Sequence, residues 1–156
     1  MSIHAALSGL AGGWTGTHYL WLRPDEEPTA SVSMAEIGTA AGGNFLTVAY
    51  EWAEDGPQDG LILLNQQAAE GDPNSVWLDS FHTAPGLMLM RSSMGEDGIA
   101  VLDGSYAAPP GPDWGWRIVI DPTPTPNFHL LMFNITPGGD LFKAVEVVYT
   151  RIAPVA

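Results

Sequence analysis

Cysteine is absent from the 156 residues, which removes disulfides and thiolate metal sites and leaves packing to hold the fold. Positive charge is nearly as scarce, with 5 Lys and Arg against 18 Asp and Glu and a formal net charge of −13. Such a chain repels phosphate backbones and anionic head groups. Arg23, Arg91, Arg117, Lys143 and Arg151 are scattered singly, with no stripe that could follow a nucleic-acid strand. Neither a nucleic-acid nor a membrane-surface role is expected. Long hydrophobic runs are missing too: no stretch approaches the ~20 apolar residues that span a bilayer. The segment from Met1 to Leu10 lacks the basic start and sustained apolar core of a secretory signal, so a cytoplasmic location is expected. Charged residues amount to only 15%, against roughly 25% in ordinary globular proteins, so Gly, Pro, Ser and Thr must cover much of the surface.

What the chain holds in quantity is apolar surface and turn chemistry. Hydrophobic residues make up 46%, enough for one core in a chain too short for two ordinary ones, so residues 1–156 are expected to form a single domain. Ile3, Leu7 and Leu10 recur at helical spacing until Gly12 and Gly13 stop the pattern, which places a short helix or plug over 1–12. Every later run reads as a strand: 14–22, 30–39, 44–53, 60–66, 75–82, 87–94, 99–106, 114–121, 128–135 and 141–151. Clusters such as Glu54-Asp55-Gly56-Pro57 and Pro137-Gly138-Gly139-Asp140 separate them. An open meander of that length would leave two sticky edges, and closure removes them. The expected class is all-β, a closed antiparallel up-and-down barrel of about ten strands over 14–151, with a β-sandwich as the structural alternative. The Pro-rich stretches 107–113 and 122–126 cannot supply ladder donors and are expected to be rigid rim loops.

Short motifs point the same way. Gly12-Gly13-Trp14-Thr15-Gly16-Thr17 resembles the first-strand Gly-x-Trp signature of calycin barrels, the group that holds lipocalins and fatty-acid-binding proteins. The resemblance implies that Trp14 plugs a closed end beneath a basic residue of the last strand, for which Arg151 is the counterpart, a cation lying on an indole face. Trp14-Thr15-Gly16, Trp77-Leu78-Asp79-Ser80, Asp103-Gly104-Ser105-Tyr106 and Val145-Glu146-Val147-Val148-Tyr149-Thr150-Arg151 are together similar to domain-of-unknown-function family 1579 over most of the chain. That likeness implies the fold and no activity. Nitrobindin-like haem proteins are similar in strand number and in a Gly-x-Trp-x-Gly start, which implies haem; Thr17-His18-Tyr19-Leu20 departs from the Gly and Tyr-Pro pattern with which they continue.

Polar residues that share a strand face with large apolar ones are the candidates for chemistry inside a small barrel. Trp77, Asp79 and Phe81 share one face of their strand, and Val76, Leu78, Ser80 and His82 the other. Both are substantially apolar, and the tryptophan face is favoured as the inward one. An inward Asp79 needs a partner, because a lone buried carboxylate is costly, and Arg117 is the nearest candidate by role. Glu146 alternates with Phe142, Ala144 and Val148, and Lys143 with Val145, Val147 and Tyr149, so either charge is a candidate for the interior. Asp79 with Glu146 would make an acid/base pair for a hydrolase or isomerase.

Among the four histidines, none pairs at helical spacing, which gives zinc weak support; a single haem-ligating imidazole needs no spacing, and His82 or His129 would serve. Otherwise each histidine is expected at a rim or on an outer face. No Gly-x-Ser-x-Gly elbow or Walker loop is present, and Ser80, His82 and Asp79 on one strand do not make a triad.

The abundance of aromatics gives the leading expectation. Six tryptophans exceed what filling a narrow barrel requires, and an indole with one hydrogen-bonding edge suits an amphipathic pocket, as adaptable methionines do. The expected activity is binding of a small apolar or aromatic molecule by Trp52, Trp77, Asp79, Tyr106, Trp116, Arg117, Met132, Asn134 and Glu146, with no metal. Haem binding, hydrolase or isomerase chemistry and homodimerisation are the rivals.

Overall fold

The computed structural model describes residues 2–66 and 71–153. Within them lie one short helix, α1 (Ala5–Ser8), and ten strands: β1 (Gly12–Leu20), β2 (Thr29–Ala40), β3 (Phe45–Ala53), β4 (Pro57–Asn65), β5 (Ser75–Asp79), β6 (Met88–Met94), β7 (Ala100–Tyr106), β8 (Trp114–Asp121), β9 (Phe128–Ile135) and β10 (Leu141–Arg151). Each pairs antiparallel with its neighbours in sequence, and β10 returns to β1, so the sheet is a closed barrel. Trp14 lies opposite Arg151 and Leu20 opposite Val145. The period of two seen in the sequence is the period of burial: on β3, Leu46, Val48, Tyr50 and Trp52 point inward, while Ala49 and Glu51 face out. None of the described helices is long and apolar enough to cross a membrane.

The end at which β1 begins is sealed. Although α1 is a single turn, shorter than the plug expected over 1–12, it buries Leu7 and its flanks bury Ile3 and Leu10. Trp14 is fully buried beneath them and donates its Nε1 proton to the Leu10 carbonyl at 2.7 Å. The Arg151 guanidinium lies 4.3 Å from the indole centroid and donates to the carbonyls of Ala11 and Gly9 at 2.8 and 3.0 Å, so the cation covers the ring and ties the plug to the last strand. Gly16 makes the β1–β10 seam possible, since a Cβ there would sit 2.3 Å from the Val148 carbonyl oxygen. Above this seal Leu46, Ile62, Leu64, Leu102, Ile118 and Leu130 fill the lumen completely enough to leave each unexposed.

Two departures from strict alternation decide what the other end presents. β5 stops at Asp79 rather than running on to residue 82, because the Asp79 side chain takes the backbone N–H groups of Phe81 and His82 and turns the chain. On β10 the register against β9 slips between Lys143 and Val145. Past that bulge Val145, Val147 and Tyr149 face the core, and Glu146 faces out with Lys143, to which it is paired at 3.1 Å.

Candidate functional site

The strand ends opposite the plug leave the lumen open, and a row of three residues across β3, β4 and β5 sets its chemistry. Tyr50 lies opposite Gly60, and Gly60 opposite Asp79. Because Gly60 has no side chain, the Tyr50 phenol lies over it and reaches the third strand; a Cβ at Gly60 would come within 2.2 Å of the phenol oxygen. A directed chain of hydrogen bonds follows. Trp77 Nε1 donates to the Tyr50 oxygen at 2.9 Å, and Tyr50 donates to Asp79 Oδ2 at 2.6 Å. Burial, with the charge of Asp79 added, holds the Tyr50 phenol far above its ordinary pKa, so it remains a donor.

Asp79 Oδ1 completes the arrangement by accepting the backbone N–H of Phe81 at 2.9 Å and of His82 at 3.0 Å, with His82 Nδ1 at 3.1 Å. Burial pushes the Asp79 carboxyl up, but the hydrogen bonds and charge of His82 and the phenol of Tyr50 outweigh it and hold the group below its usual value. An ionised carboxylate only accepts, so His82 Nδ1 carries the proton of that hydrogen bond, and in the uncharged form of the ring the lone pair lies on Nε2. That Nε2 has no hydrogen-bond partner among the described residues.

The turn that begins at Asp79 lays Phe81 and His82 against the aromatic residues of the mouth. His82 lies 5.7 Å from Trp52, 5.7 Å from Trp77 and 5.2 Å from Trp116 between ring centroids, and Trp77 stacks on Trp116 at 5.0 Å. Beside them opens a cavity of about 810 Å³, walled by Trp77, Trp116, His82, Met88, Tyr106 and Asn134 among others. Tyr106 donates to Asn134 Oδ1 at 2.5 Å across this wall. Three buried polar atoms of this end have no partner among the described residues: Trp116 Nε1, Trp52 Nε1 and His18 Nδ1. His18 stacks on Trp52 at 4.3 Å, and burial together with the neighbouring His82 lowers its pKa to about 4, the Asp79 charge offsetting only part of that. A buried donor left unpaired costs about 1–3 kcal/mol. Phenylalanine at Trp116 or Trp52 would keep an aromatic ring there without an unpaired donor, although it is smaller than an indole.

Of the residues expected from sequence, Trp77, Tyr106, Trp116 and Asn134 line this cavity. Trp52 and Asp79 stand immediately behind His82, and Met132 is buried deeper, between β8 and β10. Two expectations need correction. Arg117 is not the partner of Asp79: it lies on the outer face and binds the Asp103 carboxylate at 2.7 and 3.1 Å, because Asp103 is directly opposite it on β7. Glu146 does not approach Asp79 either, since the β10 bulge turns it outward onto Lys143, and the two-carboxylate reaction loses its geometry.

Histidines were expected at rims or outer faces; His18 is instead almost wholly buried, on the inward face that β1 shares with Trp14 and Leu20. His129 stands between the buried Phe128 and Leu130 and so on the outer face of β9, which leaves His82 as the histidine that borders the cavity. Haem fits this site poorly. Four aromatic rings lie within 6 Å of the His82 ring, and no Lys or Arg lines the cavity to meet propionates. No cluster of three or more metal-ligating side chains occurs among the described residues.

Comparison with known proteins places the chain at the level of family and fold. The family described as "Protein of unknown function (DUF1579)" matches residues 1–151. Rv2717c from M. tuberculosis is similar in structure, with 18% identity and a TM-score of 0.55 over 97% of this chain and 100% of that one. The S-type phycobiliprotein lyase CPES from Guillardia theta is similar with 15% identity and a TM-score of 0.57, covering 99% of this chain and 95% of its own. At such identities the likeness is one of fold. No curated protein matches the chain significantly.

Proposed function

The chain belongs to the DUF1579 family, whose description assigns no activity, and we propose that it is a binding barrel for a planar, largely apolar molecule that carries a hydrogen-bond acceptor. The observation that carries this reading is Trp116, a cavity-lining indole stacked on Trp77 with an unpaired, buried Nε1. A flat guest gains contact area against the indoles and against the flexible Met88 thioether. A carbonyl or similar acceptor on that guest satisfies the orphaned N–H once the Trp116 ring turns it from its enclosed position to the cavity, which turns a standing cost of the free protein into selectivity. The net charge of −13 and a lining without cations favour a neutral guest over an anionic one. The kinship of fold with a phycobiliprotein lyase carries no ligand over to this chain.

Calorimetric titration of methyl naphthyl ketone beside isopropenylnaphthalene tests the reading, because the two have nearly one shape and differ in the acceptor. One net hydrogen bond, about 1 kcal/mol, makes the ketone bind about fivefold more tightly. Trp116→Phe, which keeps the aromatic wall and removes the donor, is expected to erase the difference. Equal affinities in the unaltered protein, or heat from neither compound, would contradict the proposal.

A further inference from the structure

We infer that the same cavity is a site of proton transfer next to a carbonyl, with His82 as the base, Asp79 as its positioning residue and the Trp116 N–H as the donor to the developing oxyanion. The inference rests on the proposed binding of a carbonyl compound at Trp116 and goes beyond it by assigning a reaction.

The geometry supplies three parts together. Asp79 accepts the hydrogen bond of His82 Nδ1 and is itself pinned by the Tyr50 phenol and two backbone N–H groups. This fixes both the tautomer and the orientation of the imidazole and leaves Nε2 as an unpartnered base at an apolar cavity. Trp116 is the second part, a buried donor without an acceptor whose ring centroid is 5.2 Å from that of His82. Both rings border one cavity, and a turn of the Trp116 ring that brings its enclosed Nε1 to the cavity wall lets the oxygen and the α-hydrogen of a single ketone address the two groups at once. The third part is the packing of indoles and Phe81 against the imidazole, a low-dielectric wall on one side of the cavity that strengthens a hydrogen bond to an enolate oxygen relative to bulk solution.

The step balances without any further reagent. His82 Nε2 takes the α-proton, the C–H electron pair becomes the new C=C bond, and the carbonyl π electrons move to oxygen, where the Trp116 N–H stabilises them. Return of the proton from Nε2 to the α-carbon regenerates the ketone; return to the γ-carbon of an enone moves the double bond. Nothing is oxidised or reduced. The class of substrate is therefore a flat, apolar ketone with an activated α-hydrogen, and the class of reaction is isomerisation through an enolate.

Hydrogen–deuterium exchange into β-tetralone, whose benzylic α-hydrogens are acidified, reads the step directly by proton NMR in deuterated buffer. Calorimetry first establishes binding of β-tetralone to the unaltered protein. At saturation the bound ketone is expected to exchange at least about tenfold faster than in an equal concentration of free imidazole. His82→Gln, also saturated, is expected to return to background. Asp79→Asn should lower the saturated rate about tenfold, a loss of turnover that looser packing alone, read as weaker affinity, does not produce. Trp116→Phe retains the base and should lose tenfold or more, which keeps the test decisive if a His82 or Asp79 variant fails to fold. Bound ketone that exchanges no faster than with imidazole, or equally fast in His82→Gln, overturns this inference and leaves the binding reading standing. Absence of binding overturns both.

Discussion

At the scale of single residues the interior of the mouth is an accounting of protons. His18 is neutral in the folded barrel because burial and its neighbour His82 bring its pKa from 6.5 to about 4. Between those two values the unfolded chain holds a proton that the folded chain does not, so stability rises with pH across that window and falls on acidification. The full difference is about 3 kcal/mol, reached as pH drops from near 6.5 towards 4. Urea denaturation followed at pH 7 and pH 4.5 should show most of that loss in the unaltered protein and a much smaller one in His18→Phe; parallel losses in the two would mean that His18 does not govern it. The inward face of His18 was legible, since it alternates with Trp14 and Leu20, but histidine chemistry suggested a rim. The positions of Glu146 and Lys143 were not legible. Strict alternation puts one of them inside, and only the register slip at Lys143/Val145 puts both outside.

Elements explain why a glycine sits where a strand would prefer a branched side chain. Gly60 on β4 is the gap through which Tyr50 of β3 reaches Asp79 of β5, so three strands are tied by one phenol. Gly60→Ala should displace that phenol, costing about 1–3 kcal/mol from overpacking and from the lost hydrogen bonds. Chemical denaturation measures the loss, and an Ala variant as stable as the parent would show that Tyr50 has another place to go. The ten strands themselves were readable from alternation and turn residues, with ends right to within a few positions. The end of β5 was not, because Asp79 reads equally well as an inward strand residue and as the start of a turn. Its hydrogen bonds to Phe81 and His82 choose the turn, and that choice swings His82 into the cavity.

The whole molecule is asymmetric along its axis, filled and sealed at one end and open at the other. Cross-strand order explains this: every strand end that carries Trp52, Asp79, Tyr106, Trp116 or Asn134 lies away from the plug, while Trp14 and Arg151 meet at the plug where β1 and β10 pair. Closure and the covered tryptophan were both legible in the sequence, from the number of strands and from the Gly-x-Trp start. The cavity was legible only as a surplus of tryptophan, since which indoles keep an unpaired N–H depends on neighbours from distant strands. The two ends thus hold contrasting indoles. Trp14 spends its N–H on the Leu10 carbonyl, and Trp116 spends its own on no group of the described residues.

That contrast gives the most direct test of the central claim, that the open mouth recognises an acceptor through an uncommitted indole. In proton–nitrogen correlation spectra of nitrogen-labelled protein titrated with methyl naphthyl ketone, assigned by Trp116→Phe and Trp14→Phe, the Trp116 indole resonance is expected to move downfield and saturate while that of Trp14 stays in place. A Trp116 resonance that does not move while the ketone binds, or two indoles that move alike, would contradict the account.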